Sequence, residues 1–243
     1  MQTTIKHGHH PFQTALLHGG PGASGEMGPV ARELSHDLGV LELIQTEKSV
    51  NGQIEELHKQ LTSCADLPVV LVGFSWGAWL GFLFAARYPE LVKKLILISA
   101  GAFESQYNKD LMRIRLNRLN NQDRKEAERL MAFIRAGRGD NAILGRFGKL
   151  MTIADSFDPD PHESKPVVPD MKIYQSIEPE ASALRETGQL IRCADRIKCP
   201  GVAIHGDYDP HPAEGVEKPL TERLHDFKMI HLKKCGHVPW KER

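Results

Sequence analysis

The sequence predicts an α/β fold: a mostly parallel, doubly wound sheet with a helical segment inserted into it. Three observations carry this. Short apolar runs alternate with longer amphipathic ones through the first hundred residues, which is the pattern of βαβ units. Residues 68–74 are apolar almost without a break, as a strand buried on both faces of a parallel sheet must be. Between about 103 and 194 strand-like runs are absent, and they resume only near the C-terminus.

Taken in order, residues 14–17 form the first predicted strand, which the chain enters without leading strands. Residues 1–12 before it are polar and His-rich and read as a solvated tail; His7, His9 and His10 have no cysteine or carboxylate beside them and do not suggest a ligand cluster. The strand runs into His18-Gly19-Gly20-Pro21-Gly22. Val30, Leu34 and Leu38 fall on one face of a helix over 27–37, residues 40–44 are the next strand, and Ile54, Leu57 and Leu61 mark a second helix. A helix over 76–87 follows the apolar strand and stops before Pro89, and 95–99 is strand again.

The inserted segment shows helical spacing over 113–119, 125–134 and 142–153, with Asp123 and Asn141 as caps. Prolines and acidic residues crowd 155–169, a loop, and helices follow over 172–177 and 180–192. Residues 104–190 hold 14 basic and 14 acidic side chains, so the arginines of 113–118 read as a solvated face. The sheet resumes over 200–205, a loop and helix occupy 212–225, and 228–232 is the last strand. The expected organisation is a core of 1–102 and 195–243 with a helical cap over 103–194.

A length of 243 residues, 41% of them hydrophobic, suits one large domain with an insertion. Lysine plus arginine and aspartate plus glutamate are equal at 31 each, which argues against a nucleic-acid partner and gives no attraction to an anionic membrane surface. Cys64, Cys193, Cys199 and Cys235 form no C-x-x-C pair and are expected as free thiols. There is no apolar signal segment and no run long enough to span a bilayer, so a cytoplasmic protein is expected.

The chemistry centres on Gly73-Phe74-Ser75-Trp76-Gly77, a G-x-S-x-G pattern with strand before and helix after. A serine there stands on a tight strand-to-helix turn that pushes Oγ out of the sheet. Groups that act in such sheets gather at the carboxyl ends of the strands, where both Ser75 and the glycine loop fall.

The glycine loop, the pentapeptide with its Trp76, Gly206-Asp207-Tyr208-Asp209-Pro210 and Gly236-His237-Val238-Pro239-Trp240 occur in an order that resembles the α/β-hydrolase superfamily, and most closely its proline iminopeptidase-like branch. The resemblance spans nearly the whole chain, and the insertion falls where that family carries its cap. It implies an α/β-hydrolase fold and a serine, acid, histidine triad in that order. His237, in a loop after the last strand, fits as the base; His225 and His231 read as structural or surface groups. Asp207 and Asp209 both follow the strand ending at His205, and position alone does not choose between them. The family pattern places the acid at Asp209 and leaves Asp207 as a turn former, with Asp195 on the wrong side of the sheet.

An oxyanion requires donors already aimed at it. The backbone N–H of Trp76 is one candidate and that of Gly20 the other, with Gly19 second. Gly19, Trp76 and Trp240 are candidate substrate contacts, while Trp79 fits the core equally well. The glycine loop lacks the G-K-[ST] of a P-loop, and neither a metal nor an organic cofactor is implied.

The expected activity is hydrolysis of a small carboxylic ester, amide or N-terminal peptide bond through an acyl-enzyme on Ser75. The alternatives are a triad-dependent lyase or C–C bond hydrolase, and a ligand-binding protein that keeps the fold without turnover. Iminopeptidases hold the substrate's amino group with acidic cap residues; Glu178, Glu180 and Glu186 are candidates here by location only. The sequence stops six positions past His237, where the family commonly continues into a final helix, and a sheet face left open there would suit a homo-oligomer.

Overall fold

The computed structural model of the chain describes residues 3–159 and 168–242. The first half runs β1 (Thr4–His7), β2 (Phe12–Leu17), β3 (Ala23–Ser24), α1 (Gly28–Leu34), β4 (Gly39–Leu43), α2 (Val50–Cys64), β5 (Val69–Phe74), α3 (Trp76–Arg87) and β6 (Val92–Ile98). It continues through α4 (Leu111–Arg118), α5 (Asn121–Arg135), α6 (Asn141–Asp155), β7 (Val168–Pro169), α7 (Met171–Glu186) and α8 (Gln189–Arg192). The chain then returns to the sheet with β8 (Gly201–Gly206), α9 (Glu214–Arg223), β9 (Phe227–Leu232) and α10 (Pro239–Glu242).

Seven strands form the central sheet in the order β1-β4-β2-β5-β6-β8-β9. All neighbours are parallel except β1, which pairs antiparallel with β4. Side chains alternate across the sheet, as the two-residue period of a strand requires. Along β2, Ala15 and Leu17 enter one layer with Leu41, Leu57 and Leu71, whereas Leu16 between them enters the opposite layer with Met27, Ala31 and Val40. Both faces are therefore apolar, which is why β5 reads as an unbroken hydrophobic run. Helix α3 is buried from Trp76 to Ala86 all round, packed between β5, β6 and α2.

Between β6 and β8, helices α4, α5 and α6 share a small core of Leu119, Ala127, Leu130, Leu150, Met151 and Ala154. Helix α7 instead contributes Ile173, Ile177 and Ala181 to the main core. Among the described residues no helix is long and apolar enough to cross a membrane. The four cysteines are free thiols.

Several local expectations are corrected. The His-rich N-terminus is not a frayed tail: β1 precedes β2 and covers the edge of β4, and His7 Nε2 lies 3.0 Å from Glu42 Oε2. The segment between β6 and β8 is not free of strand, because β7 pairs antiparallel with β3. Helix α7 runs through Pro179 without a break. The caps fall on Asn120 rather than Asp123 and on Asp140 rather than Asn141, three residues and one residue earlier than expected, and their side chains accept from Asp123 N and Ile143 N. The loop expected over 155–169 begins after Asp155 ends α6, and its residues 160–167 lie outside the described residues.

One of the tight backbone approaches in the fold lies where β5 turns into α3. A Cβ on Gly73 would stand 2.1 Å from Gly77 O, and one on Gly77 would stand 2.5 Å from Leu17 O and 2.6 Å from His18 O. Backbone atoms of three elements crowd these positions and none is a flexible side-chain end. Gly77→Ala is therefore expected to destabilise the protein by about 3 kcal/mol, the upper end of overpacking costs. Urea unfolding checks this, and an unchanged midpoint would contradict the packing described.

Candidate active site

Ser75 sits at the carboxyl end of β5 with φ 52° and ψ −113°, outside the regions L-residues ordinarily occupy. Its N–H donates to Ile98 O at 2.9 Å and its C=O accepts from Ala78 N at 3.1 Å, so strand and helix hold the turn from both sides. Conformations of this kind cost on the order of 1–3 kcal/mol and persist where the surroundings over-determine them. Ser75 Oγ makes no hydrogen bond among the described residues.

Asp209 follows β8 and His237 follows β9, both at the same end of the sheet as Ser75. His237 Nδ1 donates to Asp209 Oδ2 at 2.7 Å, which leaves Nε2 as the basic nitrogen. The His237 ring packs 5.0 Å from the ring of Phe74, the residue before Ser75. Asp209's carboxylate is fully buried. Burial works to raise its pKa, but His237, His205 and His211 around it outweigh burial and hold it well below the usual carboxylate range. Burial likewise works to lower the pKa of His237, and the Asp209 charge overrides it, so that His237 titrates above its ordinary 6.5.

Position does not separate Asp207 from Asp209; in the structure it is Asp209 that meets His237. Asp207 is exposed, its Oδ1 accepting from Cys235 N at 3.4 Å, and Asp195 lies by Arg223 at the surface. Two further histidines close on Asp209. His211 donates both its backbone N–H and Nδ1–H to Oδ1 at 2.9 Å, and His205 Nε2 lies 3.4 Å from Oδ2 while donating to His211 O at 2.8 Å. Ligand-type atoms of Asp209, His211 and His237 lie within 4.8 Å of one another, a spacing that would suit a metal ion. Both Nδ1 atoms are committed to the carboxylate, so the three residues bond to each other.

In the glycine loop, Gly19 N–H is committed to Glu26 Oε2 at 3.2 Å. Gly20 is exposed and its N–H has no acceptor among the described residues. The Trp76 N–H lies at the first position of α3, where a helix has no acceptor of its own for it. The Trp76 indole is buried in the main core with Nε1 donating to Gln53 Oε1 at 2.9 Å, and Trp79 Nε1 donates to Gly101 O. Trp240 packs edge-on against Phe74 at 4.7 Å and is partly exposed. His18, at the base of the loop, gives its Nδ1 proton to Gly19 O and accepts from Gln45 N on Nε2; burial lowers its pKa to about 4, which keeps it neutral. Glu178, Glu180 and Glu186 lie on the exposed side of α7, with Glu180 Oε2 accepting from Val50 N at 2.7 Å.

The arginines of 113–118 are not all solvated. Arg115 is partly buried and pairs with the buried Asp155, Nε to Oδ1 at 2.8 Å. Arg118 reaches Ala154 O and Tyr208 O, with its guanidinium 3.7 Å over the Tyr208 ring. The backbone O of Asp155 accepts from His237 N at 2.9 Å. Helices α4 and α6 thus fasten both loops that carry Asp209 and His237. Balanced local charge hid this, because it says nothing of which arginine turns inward; the only sign of His211 was its place two residues after Asp209.

The chain belongs to the alpha/beta hydrolase family, whose sequence profile matches residues 16–243. A 64-residue stretch is 42% identical to cis-3-alkyl-4-alkyloxetan-2-one decarboxylase of Shewanella oneidensis; it covers 26% of this chain and spans only 20% of that protein's length. Among solved structures, the chain is similar to VinJ (TM-score 0.65, 18% identity, covering 97% of this chain and 88% of that one). It is also similar to 2-hydroxy-6-oxo-6-phenylhexa-2,4-dienoate hydrolase from Rhodococcus sp. strain RHA1 (TM-score 0.65, 17% identity, 99% and 89%). The same holds for Est816, an N-acyl homoserine lactone degrading enzyme (TM-score 0.65, 14% identity, 99% and 91%). At these identities the likeness is one of fold.

Arg115→Leu would leave Asp155 buried without its cation and is expected to cost about 3–5 kcal/mol. Urea unfolding of the variant checks this. A loss below about 1 kcal/mol, the range of exposed pairs, would show that the pair does not fasten α4 to α6.

Proposed function

We propose that the protein is a serine hydrolase that forms an acyl-enzyme on Ser75. The observation that carries the reading is the 2.7 Å bond from His237 Nδ1 to the buried Asp209 carboxylate, made at the sheet end where Ser75 stands on its strained turn. In this reading Ser75 Oγ attacks the substrate carbonyl and His237 Nε2 takes its proton. Asp209 holds the imidazole in that tautomer and stabilises the imidazolium. The N–H groups of Gly20 and Trp76 receive the oxyanion. His237 returns the proton to the leaving group, and water, activated by the same imidazole, releases the acid and frees Ser75. Hydrogen bonds of this kind often tighten only with substrate bound, so an unbonded Ser75 Oγ suits the resting site.

The substrate we propose is a small carboxylic ester, ahead of an amide or N-terminal peptide bond. An aminopeptidase needs an acid beside the substrate's amino group, and of the α7 acids Glu178 and Glu186 are exposed while Glu180 is committed to Val50 N. Trp240 and Gly19 would border the substrate, with residues 103–194 as the cap above it. A second reading, lyase or C–C cleavage by the same three residues, draws support from the named decarboxylase and dienoate hydrolase.

A panel of p-nitrophenyl esters and aminoacyl-arylamides tests the proposal. Esters should turn over, and Ser75→Ala should lower kcat by roughly ten-thousand-fold or more. Activity retained in Ser75→Ala would sink the reading, and turnover of arylamides alone would sink the ester preference.

The pH dependence follows from the site's electrostatics. His237 must be neutral to accept a proton, and its pKa stands above 6.5. Asp209 is ionised well below 3.8, and burial keeps His211 neutral down to about 4. The acid limb of kcat/KM should therefore be a one-proton rise with its midpoint above 6.5. A midpoint below 6.5, or a two-proton limb, would contradict the assignment of base.

A further inference from the structure

We propose that His211 is a positioning residue of this same site, holding Asp209 through one oxygen so that the other stays aimed at His237; the inference rests on the hydrolase reading above. The two oxygens are divided between the histidines. Oδ1 accepts twice from His211, at the backbone N–H and at ring Nδ1, both at 2.9 Å. Oδ2 accepts from His237 Nδ1 at 2.7 Å. A bond from the residue two positions on, by backbone N–H alone, is an ordinary Asx turn. The ring bond is additional, and it fills Oδ1 within a fully buried site.

The ring is itself held. Pro210 and Pro212 flank His211 and restrict the backbone on either side. His205 Nε2 donates to His211 O at 2.8 Å, which ties the turn to the end of β8. The His211 ring stacks on that of His237, with centroids 4.7 Å apart and planes 29° from parallel. One residue thus meets both the acid and the base, in contact with each. The other ionisable groups facing this cluster are His205 from β8 and the Arg115–Asp155 pair from α4 and α6. Neither oxygen of Asp209 is bonded to that pair.

The test separates the donor from the ring. The amide nitrogen of asparagine stands as many bonds from Cα as Nδ1 does in histidine, so His211→Asn keeps the donor. His211→Leu removes donor and ring, and His211→Phe removes the donor but keeps ring and volume. The readout is the rate at which a fluorophosphonate probe labels Ser75 as a function of pH, together with kcat and KM for p-nitrophenyl acetate. Partners that orient a metal-bound histidine typically contribute about 10–100-fold, and an effect of the same order is expected for this carboxylate. His211→Leu and His211→Phe are expected to slow labelling and lower kcat by about 10–100-fold with KM little changed. Asparagine should restore the rate to within about threefold of wild type.

Without the Oδ1 bond the carboxylate charge falls more fully on His237, so the acid-limb midpoint should move upward in the two donor-free variants. Should the leucine variant not fold, the phenylalanine variant carries the test. Wild-type rate and midpoint in a folded donor-free variant would overturn the inference, and so would an asparagine variant as slow as leucine. A wild-type protein that the probe does not label would instead overturn the hydrolase reading on which the inference stands.

Discussion

The structure depends on satisfying one buried carboxylate. Asp209 is closed off from solvent, and a bare charge in that position would be prohibitively unfavourable. Histidines from three positions surround it, and they follow different parts of the chain: His205 closes β8, His211 lies on the loop that follows, and His237 lies beyond β9. The bonds that His211 and His237 make to Asp209 bring the two loops together at the carboxyl end of the sheet. The tautomer of His237 follows from the same bond, and with it the basic nitrogen at Nε2.

The surrounding architecture enforces that arrangement from above and below. Below, β5 and α3 meet with no room for a Cβ at Gly73 or Gly77, which fixes Ser75 in a conformation it would not adopt alone. Above, Asp155 receives the N–H of His237, and Arg118 grips the carbonyl of Tyr208 one residue before Asp209. Glu242 on α10 adds a further tie by accepting from Gly236 N at 2.5 Å and from Phe157 N at 2.9 Å. The helices between β6 and β8 are therefore coupled to the acid and histidine loops, so a movement of α4 or α6 would be felt at His237.

Much of this was legible in the sequence, and the reasons are physical. The strand at 69–74 and the helix at 76–87 announce themselves because burial on every side leaves no polar periodicity to confuse the reading. Ser75, Asp209 and His237 were legible because each follows a strand in motifs of recognisable order. What escaped were features set by tertiary pairing. β1 is polar at every position but Ile5 and becomes a strand only because the edge of β4 is there to receive it. Arg115 is two residues from the exposed Arg113 and reads like it in the sequence, and it turns inward only because Asp155 closes α6 nearby. Proline at 179 suggested a break, yet α7 continues through it because its apolar side is anchored in the main core. His211 stood in plain view between two prolines, and only its place two residues after Asp209 pointed to it.

The central claim is that Ser75 becomes covalently acylated, and that claim has a direct measurement. The protein would be mixed with a p-nitrophenyl ester, quenched in acid within the first turnovers, and weighed intact before peptide mapping. The account predicts one acyl group per chain, located on the peptide containing Ser75 and absent from Ser75→Ala. Turnover of the ester with no acyl group on any residue, or with the group on a residue other than Ser75, would contradict it.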